Sequence, residues 1–176
     1  MPSIEAHVHH VPIREVQAHG DLVLRAEGWL RRSCGCGVVI RDPFRALTQT
    51  GEQPDAIGWR DGVSILVECK VSRADFLADR NKPFRQEPSQ GMGDWRFMMC
   101  PPGLIQVGDL PAGWGLLWAA GKTIRRVHGV PGNTGWWRDR PFAGCKASEN
   151  AMLVSALRRM ILRGHFEEIY DGIPSR

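Results

Sequence analysis

The sequence of 176 residues predicts one α/β domain built on a mixed β-sheet, and three observations lead to that class. Proline and glycine divide the chain into short segments whose hydrophobic period is helical in some and strand-like in others. Asp61-Gly62 joins two β-prone runs, as the turn of a tight hairpin would. The predicted order is helix, strand, strand, strand, helix, strand, and 43% hydrophobic residues suffice to bury it around one core.

Composition limits the classes of protein to consider. The chain contains no run of about 18 apolar residues, so we expect no membrane partner. The start, MPSIEAHVHH, lacks the apolar segment of a secretory signal, and the five cysteines are odd in number and irregularly spaced. These features predict a reduced, cytoplasmic protein. No GxxxxGKS/T or GxGxxG motif is present, which argues against a nucleotide-using synthetase or kinase.

The first predicted helix follows a polar N-terminal arm, residues 1–20. Asp21 is a good N-cap for the segment DLVLRAEGWLRR. Glu27 falls on or beside the inward face of this helix, where an acid requires a reason. The inward apolar stripe comprises Val23, Ala26 and Leu30.

The stretch PDAIGWRDGVSILVECK, residues 54–70, is predicted to form a hairpin with an awkward set of charges. With Asp61-Gly62 as the turn, Asp55 lies directly opposite Glu68, and the Cβ atoms of such partners are about 4.5–5.5 Å apart. Lys70 projects on the same face, because strand side chains alternate with period two. The opposite face carries small residues against large ones and is expected to form core.

A close pair of carboxylates beside a lysine is costly unless something offsets the repulsion, and a divalent cation is the simplest candidate. We expect Asp55 and Glu68 to bind Mg²⁺, with Mn²⁺ as a substitute, and the backbone carbonyl of Cys69 to add an oxygen ligand. Lys70 would orient or help to deprotonate a water and counter developing negative charge. The alternative is a surface salt bridge between Lys70 and one of the acids.

The C-terminal half adds further elements and a surplus of positive charge. The other predicted elements are strands at 36–40 and 95–100, a helix capped by Ser72, a hairpin of 115–120 with 123–128, and a helix from Ser148 to about Arg163 with Leu153, Leu157, Met160 and Ile161 on its apolar face. Within 122–163, nine basic residues stand against two acidic ones: Lys122, Arg125, Arg126, Arg138, Arg140, Lys146, Arg158, Arg159 and Arg163 against Asp139 and Glu149. This flank would face a polyanion, or would simply be a solvated basic surface.

One loop in this half combines aromatic residues with arginines. Trp136 and Trp137 precede Arg138 and Arg140, and aromatic rings interleaved with arginines can stack bases and hold phosphates. A tryptophan pair in a loop is also often a lid on the core. Both interpretations stay open.

The hairpin carries a resemblance to a known superfamily. Pro54-Asp55, the thirteen-residue separation of Asp55 from Glu68, and Glu68-Cys69-Lys70 on one strand resemble the PD-(D/E)XK nucleases. The resemblance covers roughly residues 21–100 and implies a restriction-endonuclease-like αβββαβ core, to which 101–176 would add the extra hairpin and the C-terminal helix as an extension of the same domain, 21–176. In many members an acid on the first helix assists metal binding, and Glu27 is the matching position.

The segment after the motif carries a second similarity. VSRADFLADRNKPFR is similar to the S-x-x-D-F-x-x-D segment of MmcB-like DNA-repair proteins and related phage or prophage nuclease-like proteins. The matching residues are Ser72, Asp75, Phe76, Asp79 and Lys82. Ser72, Lys82 and the adjacent Arg73 would then contact nucleic acid, whereas helix capping and surface pairing are the alternative roles.

The resemblance implies a Mg²⁺-dependent nuclease that hydrolyses phosphodiester bonds in DNA during repair, recombination, phage replication or defence. The cell would be a bacterium or a phage-infected host. RNA stays open as a substrate, and a second copy of the chain or another protein stays open as a partner. The alternative function is a catalytically silent module of the same fold that binds nucleic acid or protein.

Overall fold

The structure is a computed structural model that describes residues 13–172 of the chain. Its six strands are β1 (Val38–Arg41), β2 (Ala56–Arg60), β3 (Val63–Cys69), β4 (Trp95–Cys100), β5 (Gly115–Ala120) and β6 (Thr123–His128). They form one sheet in the order β1-β2-β3-β4-β5-β6. The β3–β4 and β4–β5 pairs are parallel and the other three are antiparallel. The chain therefore has an α/β fold with a mixed sheet.

Helices connect the strands and cover the sheet. They are α1 (Ile13–Arg32), α2 (Arg73–Asp79), α3 (Pro83–Gln86), α4 (Gly135–Arg138) and α5 (Lys146–Leu162), with 3₁₀ turns at Pro88–Gln90, Val107–Asp109 and Phe166–Ile169. The order from α1 through β1, β2, β3 and α2 to β4 agrees with the order predicted from the sequence. The predicted second hairpin corresponds to β5 and β6. Of the helices in this part of the chain, none is both long and apolar enough to cross a membrane.

The β2–β3 hairpin has the predicted register. Its pairs run from Arg60 with Val63 to Ala56 with Val67. The turn residues Asp61 and Gly62 both have positive φ, 42° and 80°, as a type I′ turn requires. The two faces of the hairpin are therefore assigned as expected.

The sheet has a core on each face. One core lies beneath α1, where Leu30 packs with Ile65 and Phe97. The other contains Leu66 and Phe76 together with residues of β4 and β5. Leu66 of β3 projects into this second core, and Glu68 lies two residues later on the same face of the sheet.

The prediction of a polar N-terminal arm is wrong for residues 13–20, because these residues form the first turns of α1. Asp21 lies inside the helix, exposed, rather than at its cap. The side chain of His19, in these turns, lies against Asp55, with 3.3 Å between Nε2 and Oδ1. Residues 1–12 of the predicted arm lie outside the described residues.

The last helix is also placed differently from the prediction. α5 begins at Lys146, and Ser148 is buried in its first turn instead of capping it. Its apolar face is buried only near the start of the helix: Met152 is 2% exposed, whereas Leu157 is 45% and Ile161 54% exposed. In the second half the Arg159 guanidinium packs on the Phe44 ring, 4.1 Å from its centroid, while the predicted apolar positions Leu157 and Ile161 stay exposed.

A buried polar cluster fixes α5 to the sheet. The carboxylate of Glu149 accepts hydrogen bonds from the Ser64 hydroxyl (2.8 Å) and the Gly93 amide (3.0 Å). The ammonium of Lys146 lies 2.8 Å from Asp94 Oδ2 and 3.1 Å from Glu149 Oε2. Each polar side chain of this cluster thus has a partner, and α5 packs on the sheet through these contacts.

Candidate functional site

The end of β3 presents Glu68 and Lys70 on one face of the sheet. The two side chains alternate with Val67 and Cys69, which are buried in the core beneath α1. Lys70 Nζ lies 3.6 Å from Glu68 Oε2, and both side chains are 3% exposed. The motif residues on this strand are therefore together, as predicted, but they are buried.

Asp55 immediately precedes β2, at the position opposite Glu68 when the register is extended by one pair. Its Oδ2 accepts a hydrogen bond from the amide of Cys69 at 2.7 Å, and its Oδ1 lies 3.3 Å from His19 Nε2. Burial would raise the pKa of Asp55, but His19 and the Cys69 amide hold it below its ordinary value. Asp55 is thus an ionised carboxylate at the edge of the site.

Glu68 is the most perturbed acid of the site. Burial raises its pKa to about 7, and the neighbouring charge of Asp55 adds to this rise, while Arg85 and Lys70 oppose it. No described residue donates a hydrogen bond to Glu68; its contacts are ionic. A buried carboxylate without hydrogen bonds is costly, and such groups are concentrated at functional sites.

Two further residues complete the buried charge cluster. Asp79 Oδ1 lies 3.4 Å from Lys70 Nζ, and Arg85 Nε lies 2.8 Å from Asp79 Oδ2. Burial would raise the pKa of Asp79, but Arg85 and Lys70 lower it to about 2. Burial would lower the pKa of Lys70, but Glu68 and Asp79 raise it. Lys70 is therefore a fixed cation at neutral pH.

The carboxylates suit a hard cation in part. Mg²⁺ is commonly held by one or two protein carboxylates and completes its shell with waters and substrate phosphates. Asp55 and Glu68 supply two such groups, although Arg85 Nη2 already lies 2.9 Å from Glu68 Oε1. Among residues 13–172, however, no group of three or more His, Cys, Asp or Glu side chains is arranged to hold a metal ion. The protein can thus supply at most a partial shell here.

Glu27 is not part of this site, contrary to the expectation. Its carboxylate pairs with Arg41 at 2.6 Å and Arg31 at 3.3 Å. Arg41 belongs to β1, the edge strand, so α1 carries Glu27 away from Glu68. His19, eight residues earlier, is the α1 residue that reaches Asp55.

The residues of the second similarity have structural partners. Ser72 caps α2 by accepting a hydrogen bond from the Asp75 amide at 3.3 Å. Arg73 forms two hydrogen bonds of 2.6 Å to Asp109, and Lys82 lies 2.6 Å from Asp79. The capping and pairing alternatives therefore account for Ser72 and Arg73. Lys82 is 45% exposed and borders the buried cluster.

The tryptophan pair divides into a core residue and a surface residue. Trp136 is 4% exposed and its ring packs edge-on against Trp95, 5.2 Å between centroids, as the alternative role of a lid on the core requires. Its contact with nucleic acid stays a prediction. Trp137 is 37% exposed; its indole N–H donates to the Asp61 carbonyl, and the Arg60 guanidinium lies 4.6 Å from its ring. Arg125, Arg126, Arg138 and Arg140 are exposed. They stay a predicted polyanion surface.

The sequence did not single out His19, Glu52 or Arg85. Glu52 lies in a loop and Arg85 in a four-residue helix, and Arg85 meets Glu52 and Glu68 only through the tertiary fold. The one local signal was Pro83 before Arg85, which marks the start of a helix but not the direction of the arginine. The carbonyl of Cys69 stays a predicted ligand, since the observed contact of this residue is through its amide.

Comparisons with known proteins add a likeness in fold. No protein-family model matches the chain, and no curated protein matches it. The solved structure of a protein of unknown function from Silicibacter pomeroyi is similar over 89% of this chain and 97% of that one, with a TM-score of 0.53 and 24% identity. At this identity the likeness concerns the fold alone, and it agrees with the α/β class.

Proposed function

We propose that this protein is a metal-dependent nuclease that hydrolyses phosphodiester bonds, with DNA as its substrate. The observation that carries the proposal is the state of Glu68: a buried carboxylate, without a hydrogen bond among the described residues, beside Lys70 and across the hairpin from Asp55. Such an arrangement costs folding free energy and is retained most readily where a ligand uses it. The PD-(D/E)XK resemblance of the same three residues agrees with it.

The proposed roles follow from the charges of the residues. Asp55 and Glu68 would hold Mg²⁺, which when bound contributes charge neutralisation at phosphorus and activation of water. Lys70 is protonated at neutral pH, because its carboxylate neighbours raise its pKa. It therefore acts as a fixed positive charge toward a phosphoryl oxygen, and not as the base that removes a proton from water.

A restriction-endonuclease-like core is part of this proposal. The order of α1, β1, β2, β3, α2 and β4 and the mixed sheet support it. For the substrate, the support is the exposed basic flank, with Trp137 as the exposed stacking surface. Mn²⁺ is the expected substitute metal.

A specific observation favours a second candidate, a catalytically silent module that binds nucleic acid. The carboxylates already have cations beside them: His19 at Asp55, and Lys70 and Arg85 at Glu68. A protein that never binds metal would need such neutralisation, since buried unpaired charge is strongly destabilising. The nuclease needs metal and the motif residues to cleave its substrate, whereas the silent module cleaves nothing and binds nucleic acid without either.

Metal-dependent cleavage distinguishes them. The full chain is incubated with single-stranded, duplex, flap and junction DNA and with RNA, in Mg²⁺, Mn²⁺ or EDTA, beside the variants Lys70→Ala and Asp55→Asn. The matched control is Arg32→Ala, which removes an exposed cation from the last turn of α1, outside the basic flank. We expect cleavage that EDTA abolishes and that Arg32→Ala retains. Both motif variants should lose cleavage at least about 100-fold, on the order expected for loss of an electrostatic contribution to catalysis. Binding of every substrate without cleavage, unaffected by the motif variants, would favour the silent module.

A further inference from the structure

An exposed tryptophan lies against the turn of the β2–β3 hairpin. The indole N–H of Trp137 donates to the Asp61 carbonyl at 3.2 Å, and the Arg60 guanidinium carbon lies 4.6 Å from the centre of the Trp137 ring. The preceding residue, Trp136, is buried in the core beneath α1. Trp137 nevertheless stays 37% exposed. Its ring is thus a fixed aromatic surface, and a ligand that stacks on it loses little free energy in ordering it.

Arginines lie around this ring. Nη1 of Arg60 donates to the Cys34 carbonyl, just after the end of α1. Burial raises the pKa of the Cys34 thiol, and the charges of Arg126 and Arg60 oppose that rise, because both guanidiniums lie in its neighbourhood. Arg138 directly follows Trp137 at the end of α4 and is exposed. We call Arg60, Arg126, Trp137 and Arg138 the Trp137 patch.

The Trp137 patch has the chemistry of a site for unpaired nucleotides. Its three guanidiniums stand against two acids, Asp61 in the turn and Asp139 directly after α4, so the charge of this surface is positive at neutral pH. An exposed aromatic ring beside arginines can stack a base while the guanidiniums contact the flanking phosphates. A base within a duplex is already stacked and paired, so only an unpaired base can reach the ring.

The Trp137 patch and the proposed catalytic residues lie at opposite ends of β3. Trp137 contacts the turn just before Val63, whereas Glu68 is near the end of the strand. With a rise of about 3.3 Å per residue, Val63 and Glu68 are about 17 Å apart. Arg60 and Glu68 also project from opposite faces of the sheet, so a bound strand has to cover at least this distance. At the spacing of stacked bases, about 3.4 Å, this length corresponds to about five nucleotides.

We propose that the Trp137 patch is a subsite for an unpaired nucleotide, remote from the site of cleavage, so that the substrate is DNA with a single-stranded segment of at least about five nucleotides. The base stacks on the exposed face of the Trp137 ring, and the neighbouring phosphates contact Arg126 and Arg138. The subsite follows from the contacts of Trp137 and does not require catalysis. Its distance from the cleaved bond rests on the proposed function.

Two labelled strands test the subsite by fluorescence anisotropy with the full chain in EDTA. One is an oligothymidylate of about sixteen nucleotides, and the other is an abasic strand of the same length, which keeps the phosphates and lacks the bases. We expect the native chain to bind the oligothymidylate about 5- to 100-fold more tightly than the abasic strand. Trp137→Ala should lose most of this preference, whereas Trp137→Phe, which keeps an aromatic face, should retain most of it.

Two further variants separate stacking from other effects. Tyr170→Ala is the matched control, because it removes an aromatic ring that is 72% exposed and lies outside the Trp137 patch. This variant should bind both strands as the native chain does. Arg138→Gln removes a phosphate contact, so it should weaken binding of both strands by a similar factor and leave the preference for bases unchanged.

The length of the substrate tests the distance between the two sites. Cleavage in Mn²⁺ is compared for the oligothymidylate of about sixteen nucleotides and for one of about three, which is too short to reach both sites at the spacing of stacked bases. We expect Trp137→Ala to lower kcat/KM for the longer strand about 5- to 100-fold. The shorter strand should be cleaved equally by Trp137→Ala and the native chain.

The other outcomes distinguish the subsite from the nuclease. If the native chain binds both strands equally, or if Trp137→Ala keeps the full preference for bases, the subsite is overturned, and metal-dependent cleavage would still support the nuclease. An equal loss of cleavage of both lengths in Trp137→Ala would overturn the remote placement. A preference for bases that Trp137→Ala loses, without cleavage of any strand by the native chain, would support the subsite and end the nuclease proposal.

Discussion

The carboxylate of Asp55 accepts a hydrogen bond from the backbone amide of Cys69, with 2.7 Å between Oδ2 and the amide nitrogen. This bond joins the segment before β2 to the end of β3 and fixes Asp55 beside the Glu68–Lys70 pair. Asp55 therefore has a structural role in addition to its proposed ligand role. The two roles can be separated by substitution.

Asp55→Asn should keep the hydrogen bond to the Cys69 amide and lose the proposed role as a metal ligand. Asparagine retains an acceptor for the buried Cys69 amide but has no charge, so we expect a loss of about 1 kcal/mol or less in the free energy of unfolding, against about 1–3 kcal/mol for Asp55→Ala, which leaves the amide unpaired. Urea unfolding in EDTA measures both. Stabilisation by Mn²⁺ should disappear in both variants. Equal destabilisation by Asn and Ala would show that the hydrogen bond to Cys69 contributes little.

The pH dependence of stability should report Glu68. Its folded pKa is raised from 4.5 to about 7, so between these values the folded chain keeps a proton that the unfolded chain releases. The contribution of Glu68 is thus fully present below pH 4.5 and is lost as the pH rises through about 7. Glu68→Gln cannot ionise and should gain stability relative to the native chain between about pH 5 and about pH 8.

Urea unfolding at several pH values in EDTA measures this difference. The pKa of His19 is also raised, through its hydrogen bond to Asp55 and despite burial, and its contribution falls with rising pH in the same direction. Because His19 is present in both proteins, its effect largely cancels in the comparison. Parallel pH profiles for the native chain and Glu68→Gln would contradict the raised pKa of Glu68.

Local sequence determined what could be predicted about the site. The turn residues Asp61 and Gly62, together with strand alternation, were sufficient to place Glu68 and Lys70 on one face, because a hairpin register depends on neighbours in the chain. Arg85 meets Glu52 across 33 residues and lies on a helix too short to show periodicity. No local pattern specifies such a contact.

Helical periodicity predicted which face of a helix turns inward, but not which residues that face would contact. Glu27 does lie beside the inward face of α1, yet its partner Arg41 depends on how the helix crosses the sheet. Leu157 and Ile161 have the spacing of a packing face, but the fold provides nothing to cover them within the described residues. Both failures concern tertiary placement, which composition and period do not encode.

Two glycine substitutions, one in the hairpin turn and one in α1, should change the free energy of unfolding in opposite directions. Gly62 has φ +80°, where a Cβ is strained, so Gly62→Ala should lower the free energy of unfolding by about 1 kcal/mol. Gly20 lies inside α1, and no atom lies within 4 Å of the position that a Cβ would take there, so Gly20→Ala should raise it by about 0.5–1 kcal/mol. Urea unfolding measures both. Stabilisation by Gly62→Ala would exclude the type I′ turn and, with it, the register that aligns Asp55 with Glu68.

The two adjacent tryptophans should respond differently in stability and in DNA binding. Trp136→Ala should lose about 3–5 kcal/mol, because it empties a site packed against Trp95 and Phe97. Trp136→Phe, which keeps most of the packing, should leave affinity for single-stranded DNA unchanged. Trp137→Ala should lower that affinity roughly 5- to 100-fold, as loss of one stacked base of about 1–3 kcal/mol implies.

Fluorescence anisotropy with a labelled oligonucleotide in EDTA measures this affinity apart from cleavage. Arg60→Gln is the companion variant, since its guanidinium covers one face of the Trp137 ring and its removal changes how that ring is presented. If Trp137→Ala binds DNA as the native chain does while Arg125→Gln and Arg126→Gln weaken binding, the basic surface acts through phosphates alone. A loss of affinity in Trp136→Phe with unchanged stability would instead mean that the buried ring becomes accessible when DNA binds.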